Sequence, residues 1–121
     1  MPKLGIAILA VAAALTGAMS SASARTIYDG NWSVLIITDR GTCDRAYRYP
    51  IDIQNGVVHY RGDVVDMKGR VGGNGAVYVT VSRGNQSASG SGRLGRSFGR
   101  GVWKGAGSSD TCSGRWEAER R

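Results

Sequence analysis

Histidine and cysteine are scarce in this chain, and their scarcity limits the chemistry available to it. Its 121 residues include one histidine, His59, and two cysteines, Cys43 and Cys112. A structural zinc site usually takes four ligands, mostly cysteine or histidine, so these three residues cannot supply one. No serine lies in a nucleophile elbow or has an evident base beside it. We therefore expect no metal site, no cofactor and no catalytic residues, and we predict that the protein is not an enzyme.

Long apolar runs are also scarce, and the clearest one lies at the amino end. Lys3 precedes an apolar run over residues 4–15, and a stretch of small residues then ends at Ala24 in an A-x-A pattern. A membrane-spanning helix needs about 20 apolar residues, whereas these three parts are typical of a secretory signal peptide. We predict a signal peptide over residues 1–24, a single β domain over residues 25–121 without a transmembrane segment, and a periplasmic or secreted location.

Acidic residues are few, 9 against 16 lysines and arginines, so the formal net charge is +7. A basic surface attracts anionic partners, and arginine suits planar contacts to phosphate or carboxylate. A solvated face that only keeps the protein soluble is the other interpretation of this charge. Export and the strand pattern argue against nucleic acid as the partner. The candidate anion contacts are Arg45, Arg48, Arg93, Arg96 and Arg100.

Helical periodicity is absent, and 19 glycines separate short segments in which apolar and polar residues alternate. This pattern predicts antiparallel strands. Asn55-Gly56 is the sequence signal for a two-residue type I′ hairpin turn, which places Ile53 opposite Val58. A second glycine-rich loop predicts a hairpin in which Val71 lies opposite Val77.

The whole pattern predicts an all-β, antiparallel up-and-down meander of about eight strands. The strand segments are residues 31–39, the hairpin 47–60, and residues 65–71, 77–81, 86–94, 98–105 and 111–119. An open meander would leave its first and last strands as edges, so we predict closure into a barrel. Cys43 follows the first strand and Cys112 opens the last, and an exported domain favours disulfides. We therefore pair them as one disulfide that joins the two strands brought together by closure.

Bulky aromatic and very small residues share the predicted interior. Trp103, for example, alternates into the same face as Gly99, Gly101 and Gly105. Such small residues either receive bulky side chains from other strands or leave an apolar ligand cavity, and both interpretations remain open. The predicted apolar interior comprises Trp32, Tyr47, Tyr49, Trp103 and Trp116.

Gly30-Asn31-Trp32 resembles the G-x-W motif that opens the first strand of lipocalin-like and other calycin barrels. The resemblance implies that the tryptophan packs at the closed end of the barrel, beneath a basic residue from a late strand. Arg115 is the residue that we expect in that role.

Longer stretches resemble small exported proteins of unassigned function in Gram-negative bacteria. They are WSV at 32–34, CDRAYRYP at 43–50, GVWKG at 101–105 and CSGRW at 112–116. This resemblance covers most of residues 25–121. It implies no activity.

These observations predict a secreted or periplasmic binding protein that engages an anionic envelope component or a small ligand. The alternative is an inhibitor of a secreted hydrolase such as a lysozyme or protease, because a compact stapled barrel can present a rigid plug. An outer-membrane barrel conflicts with the charged residues opposite the apolar face, where lipid contact requires a continuous apolar band.

Overall fold

Eight antiparallel strands form a closed barrel in the computed structural model, which describes residues 25–107 and 110–121. The strands are β1 (Gly30–Arg40), β2 (Ala46–Gln54), β3 (Val57–Tyr60), β4 (Asp66–Val71), β5 (Ala76–Arg83), β6 (Gln86–Leu94), β7 (Phe98–Ala106) and β8 (Thr111–Arg120). They follow chain order around the barrel, and β8 pairs with β1. The predicted closed meander is confirmed. The predicted signal peptide, residues 1–24, lies outside the described residues.

Both predicted hairpins have the expected register. Asn55 and Gly56 have φ values of 53° and 78°, as a type I′ turn requires, and Ile53 pairs with Val58 across it. This turn suits the right-handed twist of the two strands that it joins. In the second hairpin, Val71 pairs with Val77 and Met67 with Val81, so local turn chemistry determines the pairing in both cases.

A disulfide between Cys43 and Cys112 confirms the predicted staple. The two Cα atoms are 6.2 Å apart and the cysteines are 69 residues apart in sequence. Cys43 lies in the loop after β1, and Cys112 is the second residue of β8. The bond therefore joins the two strands whose pairing closes the barrel, at the end where β1 finishes and β8 begins.

The hydrophobic core fills the other end of the barrel. Trp32 is only 2% exposed, and Ala118 of the adjacent β8 is 1% exposed. The segment before β1 covers this end, where the Tyr28 carbonyl accepts a hydrogen bond from the Trp32 indole nitrogen at 2.8 Å. We call this the closed end; the buried apolar cluster of the barrel also includes Ile51, Ile53, Val58, Val71, Val77, Leu94 and Trp116.

Arg120, and not Arg115, is the basic residue that packs on Trp32. Arg120 on β8 and Trp32 on β1 are register partners, and the Arg120 guanidinium carbon lies 4.7 Å from the centre of the Trp32 ring. The Arg120 guanidinium also donates hydrogen bonds of 2.6–2.7 Å to the carbonyls of Ile27, Asp29 and Arg96. Arg115 points outward and forms an ion pair with Asp39 at 2.9 Å, so its expected role was wrong.

The Asp29 carboxylate ties the segment before β1 to the β2–β3 turn. Its oxygens accept hydrogen bonds from the backbone nitrogens of Asn55 at 2.7 Å and Gly56 at 3.0 Å, and from the Thr26 hydroxyl at 2.7 Å. Burial alone would raise the pKa of Asp29, but these hydrogen bonds together lower it below the ordinary 3.8. The folded protein therefore favours the charged carboxylate.

Asp29→Ala is expected to lower the free energy of unfolding by about 1–2 kcal/mol at neutral pH, because two turn nitrogens lose a charged acceptor that solvent partly screens. A carboxyl with a depressed folded pKa stabilises the protein above its unfolded pKa, and this stabilisation is lost as pH falls through the folded pKa. The difference between wild type and variant should therefore shrink below pH 3.8. Urea denaturation at several pH values measures it. Asp63→Ala, which removes an exposed carboxylate between β3 and β4, is the control; an equal loss there would contradict the prediction.

Candidate functional site

A cavity of about 600 Å³ occupies the barrel above the closed-end core and opens to solvent at the opposite end. We call that opening the mouth. Strands β1 to β5 contribute an aliphatic wall to the cavity, because their alternate side chains point inward. The main aliphatic residues of this wall are Val34, Ile36, Ile51, Met67, Val79 and Val81.

The opposite wall of the cavity is flat because glycines replace side chains there. Gly92 of β6 pairs with Gly101 of β7, and Gly101 also pairs with Trp116 of β8. A Cβ atom at either glycine would lie 2.6 Å from the Trp116 ring, which is closer than real Cβ atoms approach. The indole therefore lies against the two glycines, and its nitrogen donates a hydrogen bond to the Ser91 carbonyl of β6 at 3.2 Å.

Trp103 extends along the wall in the opposite direction. It lies on β7 opposite Gly114 of β8, and its indole nitrogen donates to the Ile37 carbonyl of β1 at 3.0 Å. Hydrogen bonds thus anchor both indoles to the backbone of other strands. Both interpretations of the small residues therefore apply. The glycines receive aromatic rings, and a cavity remains in front of those rings.

Three tyrosines cluster near the mouth on strands β2 and β3. The Tyr49 ring lies 4.9 Å from Tyr47 and 5.5 Å from Tyr60, measured between ring centres. Burial raises the pKa of the Tyr49 phenol above its usual value, and the two neighbouring tyrosines raise it further. Tyr49 therefore remains protonated at neutral pH, and its hydroxyl can donate a hydrogen bond to a bound molecule.

The rim of the mouth carries the charged groups that line the cavity. Asp110 accepts hydrogen bonds from the backbone nitrogen and the hydroxyl of Thr42 and from the Thr111 nitrogen. These bonds lower the pKa of Asp110, so the carboxylate is charged and connects the loops before β2 and before β8. Asp44 and Arg83 also line the rim, and neither is among the predicted site residues.

All five aromatic residues predicted for the interior line this cavity: Trp32, Tyr47, Tyr49, Trp103 and Trp116. They differ in depth. Trp32 forms the base, whereas Tyr47 is 44% exposed at the mouth. The alternation of inward and outward residues therefore identified the lining, while depth along the barrel axis depends on the three-dimensional register.

The five predicted arginines lie in two separate groups outside the cavity. Arg93 and Arg100 face each other on the outer surfaces of β6 and β7, with Arg96 in the turn between them. Arg45 lies in the β1–β2 loop, and Arg48 lies on the outer surface of β2. Strands β8 and β1 separate the two groups. No single surface therefore contains all five.

The fold and the cavity define a class: a small, closed, antiparallel barrel with a mostly apolar interior cavity. No protein-family model, curated protein or solved structure matches the chain. The two resemblances noted in the sequence therefore stay predictions. Within residues 25–107 and 110–121, no cluster of three or more histidine, cysteine or acidic side chains could hold a metal ion. The same part of the chain has no helix that is long and apolar enough to cross a membrane.

Proposed function

We propose that this protein is a non-enzymatic binding protein that holds a small apolar ligand inside its barrel. The observation that supports this function is the cavity of about 600 Å³ with aliphatic and aromatic walls. Small-molecule sites typically measure about 300–1,000 Å³ and are mostly apolar. Eight strands also make a barrel just wide enough to hold one small ligand.

The distribution of charge indicates how such a ligand is oriented. The charged side chains that line the cavity, Asp44, Arg83 and Asp110, all lie at the mouth. A charged ligand group placed deeper would lose its hydration without gaining a partner. The ligand class that fits has an apolar body and at most one polar end, which stays at the mouth within reach of Arg83 and the Tyr49 hydroxyl.

Gly90→Leu is expected to weaken binding of a neutral apolar dye, N-phenyl-naphthylamine, by at least about tenfold, a loss of about 1.4 kcal/mol. Gly90 lines the cavity, and a Cβ atom there would make only ordinary contacts, 3.5 Å from the Trp116 indole nitrogen and 3.7 Å from the Trp103 Cβ. The leucine side chain would then occupy ligand volume. All three tryptophans of the chain line the cavity, so quenching of their fluorescence measures binding.

Ser91→Leu is the matched control, because Ser91 is the next residue on β6 and points outward. This control should bind the dye like wild type. Near-ultraviolet circular dichroism would show that both variants keep their aromatic packing. Absence of dye binding to wild type, or equal binding to Gly90→Leu, would contradict the proposed function.

Native mass spectrometry of the protein purified from its own cells is the experiment that would identify a natural ligand. A mass above that of the polypeptide, released on unfolding, would name the ligand class. Inhibition of a secreted hydrolase stays an alternative prediction, and tight association with a lysozyme or protease would distinguish it from ligand binding.

A further inference from the structure

A notch of about 370 Å³ on the outer surface of β1 and β2 is lined by three arginines, Arg48, Arg61 and Arg121. Arg48 lies on β2, Arg61 directly follows β3, and Arg121 directly follows β8. Three distant parts of the sequence thus bring arginine residues to one concave site. We call this site the arginine notch. It lies on the outside of the barrel, across the β1–β2 wall from the cavity, and Trp32, Tyr49 and Ile51 line both.

Neutral hydrogen-bond acceptors hold two of these arginines in place. An Nη1 nitrogen of Arg48 donates to the Ser33 hydroxyl at 3.0 Å, and an Nη1 nitrogen of Arg61 donates to the Asn31 side-chain oxygen at 3.0 Å. The Arg121 backbone nitrogen donates to the Asn31 carbonyl at 2.8 Å. Each guanidinium has five N–H donors, so most remain available after these contacts.

In the part of the chain that the structure describes, no aspartate or glutamate side chain neutralises the notch. Among the described residues, the one ion pair closer than 4.0 Å joins Arg115 to Asp39, away from this site. Glu119 and Asp52 lie on neighbouring register positions, opposite Ser33 and Asn31, yet neither comes within that distance of a guanidinium. The Arg48 and Arg61 side chains therefore share one concave surface with Arg121, and no described aspartate or glutamate lies within 4.0 Å of their guanidinium groups.

We propose that the arginine notch binds a phosphate monoester group. Guanidinium N–H groups match the spacing of phosphate oxygens and bind them in pairs, and such charge-assisted bonds are about twice as strong as neutral ones. A phosphate monoester carries nearly two negative charges at neutral pH and three acceptor oxygens. It therefore engages three arginines more completely than a singly charged carboxylate does.

The test is titration of ¹⁵N-labelled protein with inorganic phosphate at low ionic strength, followed by NMR. The backbone signals of Ser33, Arg61 and Arg121 should shift together and saturate. The double variant Arg48→Gln/Arg61→Gln should bind phosphate at least about tenfold more weakly, since each arginine contributes charged hydrogen bonds. Acetate at equal ionic strength should shift the same signals much less.

Arg93→Gln/Arg100→Gln is the control, because it removes the same charge from exposed arginines on β6 and β7, which do not line the notch. Phosphate binding at the notch should survive in this control. Equal weakening in the two double variants, or phosphate shifts spread over all basic surfaces, would overturn the proposal. Dispersion of the wild-type and variant spectra shows directly that each protein is folded.

Vesicles distinguish the two possible sources of the phosphate group. The probes are phosphatidylcholine vesicles with and without phosphatidic acid, whose headgroup is a phosphate monoester. Sedimentation with the phosphatidic acid vesicles that is lost in Arg48→Gln/Arg61→Gln, but kept in the control, assigns the notch to a lipid headgroup. Phosphate binding without vesicle binding assigns it to a soluble phosphate monoester.

Discussion

Replacing Cys43 and Cys112 together by alanine is expected to lower the free energy of unfolding by about 4 kcal/mol. The bonded cysteines are 69 residues apart in sequence, and a crosslink over that separation restricts the unfolded chain by about this amount on the loop-entropy model. Small domains are stable by about 5–15 kcal/mol in total, so the loss is a large fraction. Equilibrium urea denaturation measures it, and the melting temperature should fall by on the order of 20 °C.

Reduction of the wild-type protein provides the control for this variant. Reduction removes the same crosslink but keeps the Cys112 side chain, which is only 4% exposed. Reduced wild type and the double variant should therefore lose similar stability. A loss below about 1 kcal/mol in both would show that the bond restricts the unfolded chain much less than the loop-entropy argument requires.

Much of the fold could be predicted from sequence because its determinants are local. The Asn55-Gly56 turn needs positive φ at both positions, which fixes the partner of Ile53 as Val58 without reference to the rest of the chain. Barrel closure depends on residues that are far apart in sequence. Here the position of one cysteine after the first strand and of the other in the last strand predicted it. Turns and one covalent constraint therefore predicted a closed meander, whereas the strand order is given by the structure.

The basic partner of Trp32 was missed although the sequence contained a signal for it. Residues of β8 alternate between faces, and Trp116 and Ala118 point inward, so Arg120 also belongs to the inward face while Arg115 belongs to the outward face. Applying the alternation to the end of the strand would have excluded Arg115. The choice of Arg120 still required the register of β8 against β1.

The two candidate sites depend on three-dimensional register, which the sequence did not determine. The cavity depends on whether the Trp116 ring fills the centre or lies on Gly92 and Gly101, and both arrangements have the same residue pattern. The arginine notch depends on Arg61 and Arg121, which follow strand ends and meet Arg48 only after closure. The contacts predicted from local arginine density therefore include Arg48 of this notch but neither Arg61 nor Arg121.

Trp32→Ala is the second large expected effect, with a loss of about 3–5 kcal/mol in the free energy of unfolding. Trp32 is 2% exposed and packs at the base of the barrel, so alanine leaves a void that neighbouring strands cannot fill. The variant also leaves the Tyr28 carbonyl without its 2.8 Å donor and the Arg120 guanidinium without its aromatic ring. Urea denaturation measures the change.

Trp103→Ala is the matched control, because it removes the same side chain from a half-buried position beside the cavity. There the ring already borders open space on one side, so its removal enlarges an existing cavity and forfeits fewer contacts. We expect a clearly smaller loss of stability than for Trp32→Ala. An equal or larger loss would mean that the indole wall, with its 3.0 Å hydrogen bond to Ile37, stabilises closure more than the closed-end core does. The two substitutions thus compare the end that holds the barrel together with the wall that leaves room for a ligand.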